Sequence, residues 1–449
     1  MNLNIKTDYN IYTNNNTKAS ILLNLKAKKM NDDDKSDIGI ILVADKSGSM
    51  YGNKFELLKE AINKIIVNLS TNDIFGLVTF DNIVNKDFST DFMNDENKLK
   101  IKNIVEKLEV GATTNLSGGL FNAIEQINNY KKLNKEDTRS WNILLLTDGI
   151  ANEGIVNPVV LGNQINKLID SNPLISNISI YTFGLGIDHN SDLLKNISNS
   201  TNSNYYYLEN KDMIATAFGD CLGGLLSVVV QNLEINLESF KNYNIEKIYT
   251  NYKIKDNKIY IGDLYSEEEK NIIIDISCNN IDTENILIDN CIKLNLKYID
   301  LIDTTIINST INSTINRDST INSTINRDST IQKVILNNDV LIQKCRLKAI
   351  NIMNTMMSLN LIELEKIIKD FKTTLEDHDL IDDIYCKDLL NKMNNYLEKS
   401  KVDKTSALHT LRSNVQQVCI ERAATSDIST PTIFSTGRKN NLAKAFSNN

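Results

Sequence analysis

The spacing of apolar positions changes twice along the chain. Residues 38–45, Ile-Gly-Ile-Ile-Leu-Val-Ala-Asp, form a continuous apolar run that ends in a carboxylate. Such a run predicts a strand buried on both faces of a parallel sheet. From Lys54 to Leu69 the apolar residues fall at Phe55, Leu58, Ile62, Ile65, Ile66 and Leu69. That three-and-four spacing predicts an amphipathic helix. The alternation continues, with strands predicted at 73–80, 83–89, 141–147, 178–183 and 204–208. Helices are predicted between and after them at 97–108, 116–130, 159–170, 191–198 and 211–227. Strands interleaved with helices predict an α/β fold built on a doubly wound, mostly parallel sheet.

From about residue 228 the pattern becomes purely β. Short runs at 228–237, 245–254, 258–261, 271–277 and 291–298 are separated by polar turn clusters, which predicts a β-sandwich module. Residues 3–13 and 18–28 also read as strands and have no helix to alternate with, so they are expected to join this module. From 332 to 422 the pattern is helical. Met357, Leu361, Leu364, Ile368 and Phe371 share one face, and Leu389, Leu390, Met393 and Leu397 another. A helical hairpin or small bundle is expected there. The decapeptide 311–320 recurs letter for letter at 321–330. Two copies cannot stack a solenoid core, so this stretch is expected to be a polar loop.

The partition that follows is 1–33 as the first strands of the β-sandwich, 36–225 as the α/β domain and 226–303 as the rest of the sandwich. Residues 304–331 form the low-complexity loop, 332–423 a helical domain and 424–449 a disordered tail rich in Ser, Thr and Asn.

Composition narrows the function classes. The chain has 449 residues, 41% of them hydrophobic, with a net charge of −8. That acidic balance argues against a general nucleic-acid binder, whose affinity comes from Lys and Arg on phosphate. The apolar stretches reach only about ten residues, short of the ~20 that a membrane span needs. No apolar signal region follows Met1, and the six cysteines form no CxxC or Cys/His cluster. The expectation is a cytoplasmic or intracellular protein with unpaired thiols and no zinc site.

Candidate chemistry lies in three separated loops. Asp45-Lys46-Ser47-Gly48-Ser49-Met50 follows the first buried strand, Gly111-Ala112-Thr113-Thr114-Asn115 precedes a helix, and Thr147-Asp148-Gly149 ends the 141–147 strand. In an open α/β sheet, ligands bind at the carboxyl ends of the strands. Carboxylates and hydroxyls without His or Cys are hard oxygen donors, suited to Mg²⁺, Mn²⁺ or Ca²⁺. Hydroxyls neutralise a divalent charge incompletely, so such an ion would take a further anion, as from a partner's acidic side chain.

The set Asp-x-Ser-x-Ser, Gly-x-Thr-Thr and Thr-Asp-Gly resembles the metal-ion-dependent adhesion site of von Willebrand factor A domains. The resemblance implies that Ser47, Ser49 and Thr114 approach the metal through hydroxyls, with Asp45 and Asp148 acting largely through water. The runs 183–189, 205–210, 217–230 and 261–269 are similar to a eukaryotic subgroup in which this domain precedes a β module and C-terminal helices. Some plant relatives there add a RING finger, and this chain lacks one, so ligase activity is not implied. The expected function is cation-dependent binding of a protein partner, without catalysis. The alternatives are a scaffold or subunit of an enzyme complex, ubiquitin-ligase-like or associated with an AAA motor, and a structural virion or assembly protein. Outside the site, His189 is read as structural, Lys46 as a solvated side chain and Glu267–Glu269 as a solvated turn.

Overall fold

The computed structural model describes residues 1–8, 18–31, 34–148, 151–175, 177–209, 212–278, 287–303, 305–317, 336–422, 434 and 436. The second repeat copy lies outside the described residues, as does the expected tail apart from 434 and 436. In chain order the first elements are β1 Asn2–Thr7, β2 Lys18–Lys26, β3 Ile38–Asp45, α1 Asn53–Asn68, β4 Ile74–Phe80, β5 Val84–Phe92 and α2 Asp95–Glu106. They continue with α3 Leu116–Leu133, β6 Ser140–Thr147, α4 Pro158–Asp170, β7 Ile178–Leu185, α5 Ser191–Asn199, β8 Tyr205–Leu208 and α6 Asp212–Leu225. The chain divides into two compact units, Met30–Val228 with Tyr396–Asn449, and Met1–Lys29 with Val229–Asn395.

The first unit is organised by one sheet in the order β5-β4-β3-β6-β7-β8, parallel except for β5. Every residue of β3, β4 and β6 is buried, which is why their sequences run apolar without alternation. Alternate side chains of β3 serve opposite cores. Ile38, Ile40, Leu42 and Ala44 pack with Phe55, Leu58 and Ile62 of α1 and with Phe218 of α6. Ile41 and Val43 pack with Leu120 and Ile124 of α3, Leu161 and Ile165 of α4, and Leu194 of α5. Each fully buried side chain of this kind stabilises the fold by about 1.5–3 kcal/mol. From β3 the chain runs outward through β4 to β5, then crosses back to β6 on the other side of β3. That reversal opens a crevice at the carboxyl ends of β3 and β6.

The second unit continues with β9 Val228–Ser239, β10 Tyr243–Tyr249, β11 Lys253–Lys255, β12 Lys258–Tyr265, β13 Glu269–Cys278, β14 Leu287–Asp300 and β15 Thr305–Arg317. It also holds the helices α7 Asn338–Met356, α8 Leu361–Asp377 and most of α9 Ile384–Val402, while α10 Lys404–Ile420 falls in the first unit. Two further sheets have the orders β1-β2-β13-β10 and β11-β12-β9-β14-β15. The N-terminal β2 pairs antiparallel with β13, from Glu269 opposite Lys26 to Ser277 opposite Lys18. The run at 245–254, read as one strand, is two, because a turn at 250–252 separates β10 from β11.

Two expectations need correction. The described start of the repeat is a strand and not a loop: β15 pairs antiparallel with β14 from Thr305 opposite Asp300 to Arg317 opposite Leu287. Ile307, Ser309, Ile311, Ser313 and Ile315 all lie on one face of it, and that face is the less exposed one. Asn and Thr occupy the exposed positions 308, 310, 312 and 314, so the segment has a strand's two-residue period. The helical segment is likewise not one domain. Val340 of α7 packs on Leu22 and Ile273 of the β1-β2-β13-β10 sheet, and Arg346 donates to the Asn271 carbonyl at 2.8 Å. Helix α10 instead belongs to the α/β unit. There the Gln416 amide donates to Ser198 Oγ at 2.8 Å and accepts from the Tyr205 N–H at 2.8 Å.

Candidate functional site

Strands β3 and β6 run parallel with Ala44 opposite Leu146, so Asp45 and Thr147 emerge side by side at the crevice. The Thr147 hydroxyl donates to one oxygen of the Asp45 carboxylate, and the Ser47 backbone N–H donates to the other at 2.8 Å. Asp45 is fully buried. Burial pushes its pKa up to about 6, against the pull of those hydrogen bonds and with a further upward push from Asp148.

Backbone bonds tie the loop after β3 to its neighbours. Lys46 N–H donates to the Phe80 carbonyl at 2.8 Å, Gly111 N–H to the Lys46 carbonyl at 2.6 Å, and Gly48 N–H to the Ala112 carbonyl at 2.9 Å. Gly111 packs closely on Asp81, since a Cβ there would stand 1.7 Å from Asp81 Oδ2 and the carboxylate would have to shift. Thr114 joins the second loop to the third. Its N–H donates to Asn152 Oδ1 at 2.8 Å, and its carbonyl accepts from the Asn152 and Glu153 N–H groups at 3.2 Å each. Asn115 then caps α3 by accepting from Gly118 N–H.

Four of the five predicted residues, Asp45, Ser47, Ser49 and Asp148, meet in one polar chain. Ser47 Oγ lies 3.2 Å from Ser49 Oγ, which donates to Asp148 Oδ1 at 2.9 Å. Asp45, Ser47, Thr114 and Asp148 are buried, while Ser49 is exposed and opens the cluster to solvent. Thr114 lies in the neighbouring loop, whose backbone bonds run to Asn152 and Glu153 and, from Gly111 and Ala112, to Lys46 and Gly48. The cluster fits a hard divalent ion on two grounds. Its donors are all oxygen. Its Asp45 carboxylate is also short of the positive charge that would offset its desolvation. Among the described residues, no group of three or more His, Cys, Asp or Glu is placed to hold a metal, and this cluster, with two carboxylates, would depend on its hydroxyls as well.

Three neighbours of the site had no role read from the sequence, Thr147 being quoted only as part of the third motif. Thr147 orients Asp45, Asn152 holds the Thr114 loop, and Lys54 donates from the first turn of α1 to Asp148 Oδ2. Lys54 left a signal, since a cation in a helix's first turn opposes the helix dipole and calls for a nearby carboxylate. Lys46 is not a solvated side chain, for its ammonium lies 3.7 Å from Asp81 Oδ2 and is largely buried. Glu268 is not part of a solvated turn either. It is buried, accepts from Lys270 at 2.7 Å and from the Tyr265 N–H at 2.9 Å. His189 is held structurally, with Nδ1 2.6 Å from the Gly186 carbonyl and Nε2 2.6 Å from the Tyr205 hydroxyl.

Comparison with known proteins agrees with this architecture. The sequence profile of the von Willebrand factor type A domain matches residues 39–219. Inter alpha-trypsin inhibitor, heavy chain 4, of Mus musculus is 30% identical over 161 residues, which is 35% of this chain and 17% of the relative. The chain therefore matches less than a fifth of that relative's length. Among solved structures, the von Willebrand factor type A protein from Catenulispora acidiphila superposes with a TM-score of 0.65 at 14% identity, over 90% of this chain and 91% of that one. The ArnB paralog VWA2 from Sulfolobus acidocaldarius gives 0.58 at 14% identity, over 92% and 97%. At such identities these two likenesses speak to fold alone, and they extend beyond the α/β region. Sequence match and fold together make residues 39–219 a von Willebrand factor type A domain.

Proposed function

We propose that this chain is a divalent-cation-dependent protein-interaction module. Asp45, Ser47, Ser49, Thr114 and Asp148 hold Mg²⁺, or Mn²⁺ or Ca²⁺ in its place, and an acidic side chain from a protein partner completes the coordination. The observation that carries this reading is the hydrogen-bonded run from Ser47 through Ser49 to Asp148, beside the desolvated Asp45 carboxylate. Hydroxyls that bond one another in the bare protein can turn their lone pairs to a cation without moving the backbone. The exposed Ser49 marks the open side, from which a partner's carboxylate would approach. The bound ion would supply Lewis acidity toward that carboxylate, and the protein's own part is to hold the donors and limit how many it offers. No chemical step is assigned to the site.

The test is a pulldown with the full chain in Mg²⁺ and in EDTA, beside Asp45→Ala. Partner capture should require both Mg²⁺ and Asp45. A partner retained by Asp45→Ala in EDTA would sink the reading.

A further inference from the structure

Lys54 is placed to compete with the cation for Asp148. Its ammonium bonds Asp148 Oδ2, while Ser49 Oγ holds Oδ1 at 2.9 Å. The Asp148 side chain is wholly shielded from solvent, and the Lys54 side chain keeps 34% of its exposure. The geometry that aims it is local. Gly52, at φ 85°, turns the chain into α1, which puts Lys54 in the first helical turn. A positive charge there opposes the helix dipole, so the lysine gains from a carboxylate that the fold has already buried.

We infer that Lys54 is a built-in counter-cation, one that weakens divalent-ion binding and couples it to binding of an acidic ligand. The inference rests on the cation reading proposed above. Asp45 and Asp148 bring two negative charges to the cluster, and Lys54 offsets one of them before any ion arrives. Lys46 changes nothing in this count, because Asp81 pairs with it. Glu153, bonded to the Thr113 hydroxyl, adds a constant negative charge one loop away. With Lys54 present, the loaded site is more positive by one unit than it would be without it. The ion is held less tightly, and the loaded site attracts an anion more strongly. Because linkage is reciprocal, a carboxylate that gains from the ion must raise the ion's affinity by the same factor. Cation and acidic ligand would then load together.

The experiment is calorimetric titration of Mg²⁺ into the full chain, with and without acetate as a carboxylate probe. Lys54→Met should bind Mg²⁺ about five- to tenfold more tightly than wild type, the range expected for one partly screened charge. The gain in Mg²⁺ affinity on adding acetate should shrink in the same variant. Lys54→Arg keeps the charge and should behave as wild type. Unchanged or weaker Mg²⁺ binding by Lys54→Met would overturn the inference, and so would a Lys54→Arg that behaves like Lys54→Met. These failures leave the cation reading standing. Absence of Mg²⁺ binding in wild type and in both variants would remove the cation reading, and this inference with it.

Discussion

Two polar clusters lie against the same sheet, one along β7 and β8 and one beyond β3 and β6, and they are satisfied in different ways. Beyond β7, His189 is bonded at both ring nitrogens and stacks on His409 at 4.4 Å between ring centres. His409 donates to the Ile187 carbonyl at 3.0 Å, and Gln416 joins Ser198, Ser203 and Tyr205. These groups are neutral, and α10 supplies many of their partners. Beyond β3 and β6, two buried carboxylates meet hydroxyls and a single lysine. The first cluster is largely satisfied by the chain itself, with His409 Nδ1 left without a hydrogen-bond partner among the described residues. The second retains an excess of negative charge and opens to solvent at Ser49. Buried polarity marks a site when the chain leaves its charge uncompensated.

The sharpest way to break this comparison is to delete one member of each cluster. Gln416→Ala should lower the stability of the full chain by about 1–3 kcal/mol, read by urea unfolding, because it strands the buried Tyr205 N–H. Asp45→Ala in EDTA should cost less, because relief of a desolvated carboxylate offsets the loss of its bonds from the Ser47 N–H and the Thr147 hydroxyl. It should nevertheless lose Mg²⁺ affinity by about a hundredfold. Equal destabilisation by the two would erase the distinction.

Acid should act next most strongly. Burial and the neighbouring His409 hold the His189 pKa down at about 3, and burial lowers His409 as well. The unfolded chain takes up these protons near pH 6.5 and the folded chain resists them. Stability is therefore full above pH 6.5 and falls as the pH drops toward 3. From His189 alone the loss by pH 5 is about 2 kcal/mol. Asp45, whose pKa is raised, contributes with the opposite sign in part of this range. The measurement is thus the difference in pH slope between wild type and His189→Phe, and the variant should be flatter. Parallel slopes would show that His189 is not held neutral. Lys46→Ala should have the smallest effect, under about 1 kcal/mol by urea unfolding, since its partner Asp81 keeps other bonds.

Much of this could be read from local pattern. The doubly buried strands declared themselves through unbroken apolar runs, and Asp45, Ser47, Ser49 and Asp148 through hydroxyls and carboxylates at strand ends. Met357, Leu361, Leu364, Ile368 and Phe371 made one stripe, yet α7 and α8 break between Met356 and Leu361. Asn360 and Glu363 form a capping box there, a local signal that the apolar stripe concealed. The repeat misled in the opposite direction. Its polarity suggested a loop, although Ile307, Ile311 and Ile315 all keep odd numbers, as one face of a strand requires.

The sequence by itself determined the α/β region and the placement of three oxygen-rich loops near its strand ends. Each of these depends on residues close in sequence, or on the rule that places ligands at strand ends. Only tertiary structure decided the rest. Helices α7 and α10 came from one helical stretch, but each was claimed by the surface it could bury. Lys54 reached Asp148 across 94 residues. Charge pairing at such separations leaves no periodicity in the chain, so the balance of charge at the site became legible only after folding.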